Sequence, residues 1–189
     1  MKSKFPLIII LVGLIIMGIG AWQFVDMKVE TNSSIKKAKA LIAEHQNDPT
    51  KKTPEISQSN PPGFGDTIGL LQIPKINSEL AIVEGTDPND LKKGVGHYKG
   101  SYFPGEKGQI VLSGHRDTVF RHLGELKIGD DLKVEMPNGT FVYEITHTKI
   151  VDAKDTSIIT LQNKEEELIL TTCYPFRYVG NAPNRYIIY

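Results

Sequence analysis

The longest apolar run opens the chain. Lys2 and Lys4 precede an uncharged stretch from Phe5 to Val25, and the first acidic residue is Asp26. Roughly 21 residues at 1.5 Å each cross about 30 Å of hydrocarbon. The pattern therefore predicts a transmembrane helix over residues 1–25. Trp22 and Phe24 fall where interfacial aromatic side chains sit, and the two leading lysines favour an N-terminus on the cytoplasmic side. A cleaved signal peptide has a shorter apolar core of about 7 to 15 residues and a small-x-small cleavage site. "MGIGAWQF" is a weak version of such a site, so the run reads as an uncleaved signal-anchor.

Beyond it the period changes twice. Ile35, Ala38, Leu41 and Ile42 recur at helical spacing among Lys36, Lys37 and Lys39, which predicts a juxtamembrane helix. "NDPTKKTPEISQSNPPGFGD" then reads as an extended Pro-rich linker, so residues 26–66 form a stalk and linker. From Thr67 short β-type runs follow one another: "TIGLLQIP", "LAIVEG", "GQIVLSGH", "EELILTTC" and "NRYIIY". "DLKVEMPNGTFVYEITHTKIVD" is the clearest hairpin, two alternating runs around Pro-Asn-Gly. "DPNDLKKG" and "TVFRHLGEL" read as short helical turns, with Asp87 or Asp90 as candidate cap of the first. Seven or eight short strands with only short helices predict an all-β barrel or sandwich over residues 67–189.

Composition narrows the function classes. Lys+Arg and Asp+Glu both total 22, and no basic stripe occurs, so nothing points to a nucleic-acid partner. The one cysteine, Cys173, cannot form a disulfide within the chain. In an exported domain an odd cysteine is a reactive thiol, an intermolecular link or a small buried hydrophobe.

A nucleophilic thiolate needs a base or cation close by. His45 lies in the stalk, His147 reads as an outward strand residue, and His122 as a surface turn residue. His115 closes "QIVLSGHRD", where an apolar strand delivers it to a loop, and Cys173 ends "EELILTTC" in the same way. Rigid strands presenting loop side chains are where β domains build sites. His97, in the Gly-flanked "GVGHYKG", is a second candidate for lining the same cleft. Arg185 opens the last strand and is positioned to donate to an oxyanion, ahead of Arg116, Arg121 and Arg177. His97, His115, His122 and Asp117 lack metal-ligand spacing, and Ser113 lacks a nucleophile elbow, so no metal site or serine nucleophile is read.

"SGHRDT", "LILTTCYPF" and "NAPNRYIIY", in that order after an N-terminal anchor, resemble the sortases of Gram-positive bacteria over about residues 67–189. The family motif is Thr-Leu-x-Thr-Cys; Leu170, Thr172 and Cys173 match it, and Ile169 replaces its first Thr. The resemblance is greatest to class D, with class E the near alternative. It implies an eight-stranded β-barrel and a cysteine transpeptidase, with Cys173 as nucleophile, His115 as general acid-base and Arg185 as oxyanion donor. It further implies a Leu-Pro-x-Thr-Gly or Leu-Pro-x-Thr-Ala type sorting signal as donor and a peptidoglycan precursor or cell-wall peptide amine as acceptor. Thr172, His97, Ile158, Ile159 and Leu161 are the candidate substrate-binding residues; for the last three, core packing is the competing reading. No cofactor is implied. Ca²⁺ stimulation, known in some sortases, has only scattered carboxylates to draw on here, such as Asp130, Asp131 and Asp152. If a Cys and a His titrate independently at ordinary values near 8.5 and 6.5, under about 1% of molecules at pH 7 hold thiolate and imidazolium together, so either the pair is strongly coupled or the reaction runs slowly through a minor form. Two other classes compete: another cysteine enzyme, such as an L,D-transpeptidase or peptidase, and a membrane-tethered binding module with a buried thiol.

Overall fold

The computed structural model describes residues 5–47, 56–178 and 180–189. One helix, α1 (Phe5–Asn47), carries both the apolar run and the amphipathic stretch that follows it. Its first half leaves Leu7, Ile9, Leu11, Trp22 and Phe24 exposed, and it contains a span long and apolar enough to cross a membrane. Its second half buries Ala38 and Ile42 against Leu70 and Ala81 of the sheet, and Lys39 pairs with Glu79 at 2.6 Å.

Among the described residues the sheet has nine strands: β1 (Thr67–Ile73), β2 (Ser78–Glu84), β3 (Val95–His97), β4 (Gln109–Ser113), β5 (Asp131–Met136), β6 (Gly139–Glu144), β7 (Thr148–Asp152), β8 (Glu167–Tyr174) and β9 (Asn184–Ile188). A short helix α2 (Pro88–Leu91) and two single 3₁₀ turns complete it. The order is β6-β5-β1-β2-β3-β4-β8-β9-β7. The pairs β2–β3 and β4–β8 are parallel and the others antiparallel. Seven strands correspond to the runs read from the sequence; the other two are β3, three residues long and buried throughout, too short to display any alternation, and β7, which separates from the hairpin's second run.

The Pro-Asn-Gly hairpin forms as β5–β6, with Met136 opposite Gly139. Its second run does not continue as one strand. At Ile145 the chain exchanges backbone hydrogen bonds with Gly129 and Asp130, and one residue later Thr146 N–H donates to the Tyr189 carbonyl. That short passage joins the two ends of the sheet order and carries β7 to the far side of β9. The sheet curls on itself, and one core collects Leu71 and Ile73 from β1, Leu132 and Val134 from β5, Leu170 from β8 and Ile188 from β9. His147, read as a mid-strand residue, sits between β6 and β7 and stacks on Tyr189 at 4.2 Å.

Part of the linker reading falls on residues 48–55, outside the described residues. From Ile56 onward the linker lies against the barrel: Ile56 packs on the main core, Gln58 N–H donates to Glu106 Oε1, and Gly65 N–H donates to the Glu84 carbonyl at 2.8 Å. Asp87 occupies the cap position of α2 without a side-chain cap bond, and Asp90 is buried.

Candidate functional site

The parallel β4–β8 ladder runs from Gln109↔Glu167 to Ser113↔Thr171 and stops two residues short of both His115 and Cys173. Two further bonds hold the strand ends together. Gly114 N–H donates to the Thr171 carbonyl at 3.1 Å, and Thr172 Oγ1–H donates to the Gly114 carbonyl at 2.7 Å. On its other side β8 pairs with β9, and Cys173 stands directly opposite Arg185. Cross-strand partners in an antiparallel pair project from the same face with Cβ atoms about 4.5–5.5 Å apart. Cys173 and Arg185 are half-buried and His115 is exposed. Three strands thus deliver the three candidate side chains to one end of the sheet.

Strand alternation then sorts the remaining candidates by face. Ile169, Thr171 and Cys173 share one face of β8, and Leu168, Leu170 and Thr172 share the other. On the Cys173 face a small cluster of Val111, Val151, Ile158, Ile169 and Ile187 is buried. Ile158 is 7% exposed in that cluster and Ile159 packs at its edge. Ile158 and Ile159 therefore cover part of the face on which Cys173 lies, and Ile158 itself is spent on packing. Leu161 is 37% exposed and carries a positive φ of 48°. Thr172 lies on the opposite face, buried, its hydroxyl committed to Gly114. The structure does not bring it into the cleft.

His97 also departs from its expected place. It pairs across β3–β4 with Leu112, a core residue, and is 1% exposed. Nδ1 lies 2.7 Å from Glu84 Oε2, and Nε2 lies 2.9 Å from the Tyr102 carbonyl and 3.0 Å from Ser101 Oγ. Its ring stacks on Phe103 at 4.3 Å. Both ring nitrogens are occupied inside the barrel, so this histidine braces β2, β3 and the following loop and does not line the cleft. His122 is exposed, with Nδ1 2.7 Å from Glu125 Oε1. Nothing among the described residues gathers three metal-ligating side chains.

"TCYPF" acquires a structural account. Tyr174, Phe176 and Tyr186 form an aromatic cluster with centroid separations of 5.4–6.0 Å, and Phe176 and Tyr186 pack on the main core. Strand alternation puts Tyr174 and Tyr186 on the face away from Cys173. Arg185 Nη1 donates to the Asn184 carbonyl at 3.1 Å and reaches the Ala182 carbonyl at 3.5 Å. Both acceptors are within three residues of it in the chain, so turning to another carbonyl means exchanging these bonds. Arg116, ranked below Arg185 on the sequence, is 6% exposed and directs its guanidinium at the loop after Cys173. No local pattern in "GHRDT" announces that role; only the tertiary placement of Pro175, Tyr178 and Gly180 creates it.

The Sortase domain family matches residues 71–189 of this chain. The chain belongs to the sortase family. It is 56% identical over 193 residues to Sortase D of Bacillus subtilis (strain 168), spanning 100% of this chain and 98% of that protein. Among solved structures, the catalytic domain of Bacillus anthracis SrtD is 46% identical, with a TM-score of 0.56 over 67% of this chain and 86% of that one. A Clostridium perfringens Sortase D5 transpeptidase reaches a TM-score of 0.66 at 26% identity, over 80% of this chain and 94% of that one. The sortase is thus a cysteine acyltransferase on a curled β-barrel, and these likenesses agree with class D.

Proposed function

We propose that this sortase is held in the cell membrane by residues 1–25 as a single-pass anchor, with a stalk and linker over 26–66 and an extracellular catalytic barrel over 67–189. Its donor is a secreted protein with a C-terminal Leu-Pro-x-Thr-Gly or Leu-Pro-x-Thr-Ala type signal. The Cys173 thiolate attacks the Thr carbonyl, the Thr–Gly/Ala amide bond breaks, and a thioester forms on Sγ. His115 gives its proton to the departing amine. Arg185 donates hydrogen bonds to the carbonyl oxygen as charge gathers on it. An amine of a peptidoglycan precursor or cell-wall peptide then attacks the thioester, His115 takes the amine's proton, and thiolate is released. No cofactor takes part in these steps.

The observation that carries this reading is the register Cys173↔Arg185 beside a parallel ladder that aims His115 at the same strand end. A thiol and a guanidinium on adjacent positions of one face can hold a single carbonyl group between them. The apolar first half of α1 supports the anchor.

The test uses the full chain in detergent micelles with a panel of Leu-Pro-x-Thr-x peptides and a small amine. Mass spectrometry should find a thioacyl adduct on Cys173 and an amide product, both absent in Cys173→Ala. An alkylatable Cys173 that forms no adduct with any peptide would point to another cysteine enzyme. An inert Cys173 would point to a binding module.

A further inference from the structure

Cys173 and Arg185 lie on consecutive strands joined by the loop 175–183, and His115 lies on a different loop. A site assembled from a strand pair and a separate loop gains accuracy from anything that fixes the loop against that pair. Arg116 directly follows His115, and its side chain spans the gap. Nη1 donates to the Pro175 carbonyl at 3.0 Å, and Nη2 donates to the carbonyls of Tyr178 at 2.6 Å and Gly180 at 2.9 Å. Its guanidinium carbon also stands 5.8 Å from the Tyr178 ring.

The charge balance is unusual for a buried cation. The nearest carboxylate is Asp117, whose Oδ1 lies 3.5 Å from Nε, within ion-pair range but outside hydrogen-bond geometry, and Nε itself is buried without a hydrogen-bond partner. Asp117 is 67% exposed, so water screens it. The converging dipoles of three carbonyls therefore do most of the work of stabilising the charge. A planar fork with five donors can satisfy three acceptors spread along a loop; an ammonium on a flexible stem cannot hold the same geometry.

We propose that Arg116 is a positioning residue, a clamp that sets the distance of His115 from Cys173 and Arg185 by gripping the loop between the last two strands. It touches neither substrate nor thiol and acts through His115 and the loop. The inference rests on the assignment of those three residues made under Proposed function. Misplacing a reacting group by about 1 Å costs on the order of 100-fold in rate, so the effect belongs in kcat and not in binding.

Arg116→Lys and Arg116→Gln in the full chain test it by two routes. In single-turnover acylation, Arg116→Gln should lose about 10- to 100-fold in rate and Arg116→Lys somewhat less, with KM within about threefold of wild type. The second route needs no peptide: the pH profile of Cys173 alkylation by iodoacetamide should move by about half a unit or more in both variants, since it reports how His115 and the thiol interact. A purely structural role would lower the melting temperature and leave that profile unmoved in the folded fraction. Cooperatively folded variants with wild-type acylation and a wild-type alkylation profile would overturn the proposal. If Arg116→Gln does not fold, Arg116→Lys decides. If neither folds, hydrogen exchange of the wild-type chain does: amides of the 175–183 loop exchanging at random-coil rates would refute a clamp, and protected ones would support it. A wild-type chain that forms no adduct would count against the proposed reaction, while the alkylation profile would still decide the role of Arg116.

Discussion

At the residue scale, the chemistry depends on which face of β8 a side chain occupies. Cys173 shares its face with Thr171 and Ile169, while Thr172, one position back, turns inward and bonds Gly114. The motif was readable in the sequence because it names residue types in order; the faces were less so, because Thr171 and Thr172 carry the same polarity. His97 illustrates the limit from the other side. Three buried residues of β3 show no period, so a histidine bonded to buried Glu84 looked in sequence like a loop residue beside a cleft. Two predictions separate the roles. Arg185→Lys keeps the charge but loses the fork, and should lower kcat/KM about 100-fold with little change in stability. His97→Ala leaves Glu84 buried without its partner and should cost about 3 kcal/mol in urea unfolding, with acylation per folded molecule unchanged. The reverse pattern would return His97 to the cleft. Because the proposed step needs thiolate and imidazolium together, kcat/KM should also rise and then fall with pH. A rate flat from about pH 5 to 10 would sink the Cys173–His115 assignment.

At the element scale, strand ends and loops decide how accurately the site is assembled. Most strands were legible as apolar runs bounded by Gly and Pro, and the β5–β6 turn was legible from Pro-Asn-Gly. The break at Ile145 was not, since its cause is tertiary: backbone bonds to Asp130 on one side and a neighbouring bond to Tyr189 on the other. The loop that carries His115 is closely packed at Gly114. A Cβ on Gly114 would come within 2.6 Å of the Phe120 ring and 2.8 Å of Val119. The same Gly114 is held to Thr171 and Thr172, so the backbone there is tied on one side while the Phe120 and Val119 side chains close the other. Gly114→Ala should therefore shift His115 relative to Cys173. We expect about 1–3 kcal/mol of lost stability by chemical denaturation and at least about a tenfold fall in single-turnover acylation. A variant with wild-type values for both would show that the loop can relax without moving its histidine.

At the scale of the whole molecule, α1 links the apolar segment proposed as the anchor to the barrel. Its 43 residues span about 64 Å. From Val25, where the apolar run ends, to Ala38, where the helix is buried on the sheet, the rise is about 20 Å. The helical periodicity of Ile35, Ala38 and Ile42 was legible, but a polar stalk was the natural reading, because the surface that receives it belongs to β1 and β2. That surface explains why β1 is buried on both faces: Leu71 and Ile73 face the main core, and Leu70 faces α1. With the proposed anchor in a membrane, a docked helix would hold the barrel at a fixed height and orientation, whereas a free stalk would let it swing. The two pictures differ in stability as well as in motion. Removing residues 1–55 uncovers Leu70 and Ala81, roughly 100 Å² of apolar surface, worth about 2–3 kcal/mol. A chain of residues 27–189 should unfold in urea at a higher midpoint than one of residues 56–189, and Ala38→Glu in the longer chain should remove most of the difference. Coincident unfolding curves for all three would mean that the helix only rests on the barrel, and that nothing but the linker sets the reach of Cys173 from the membrane.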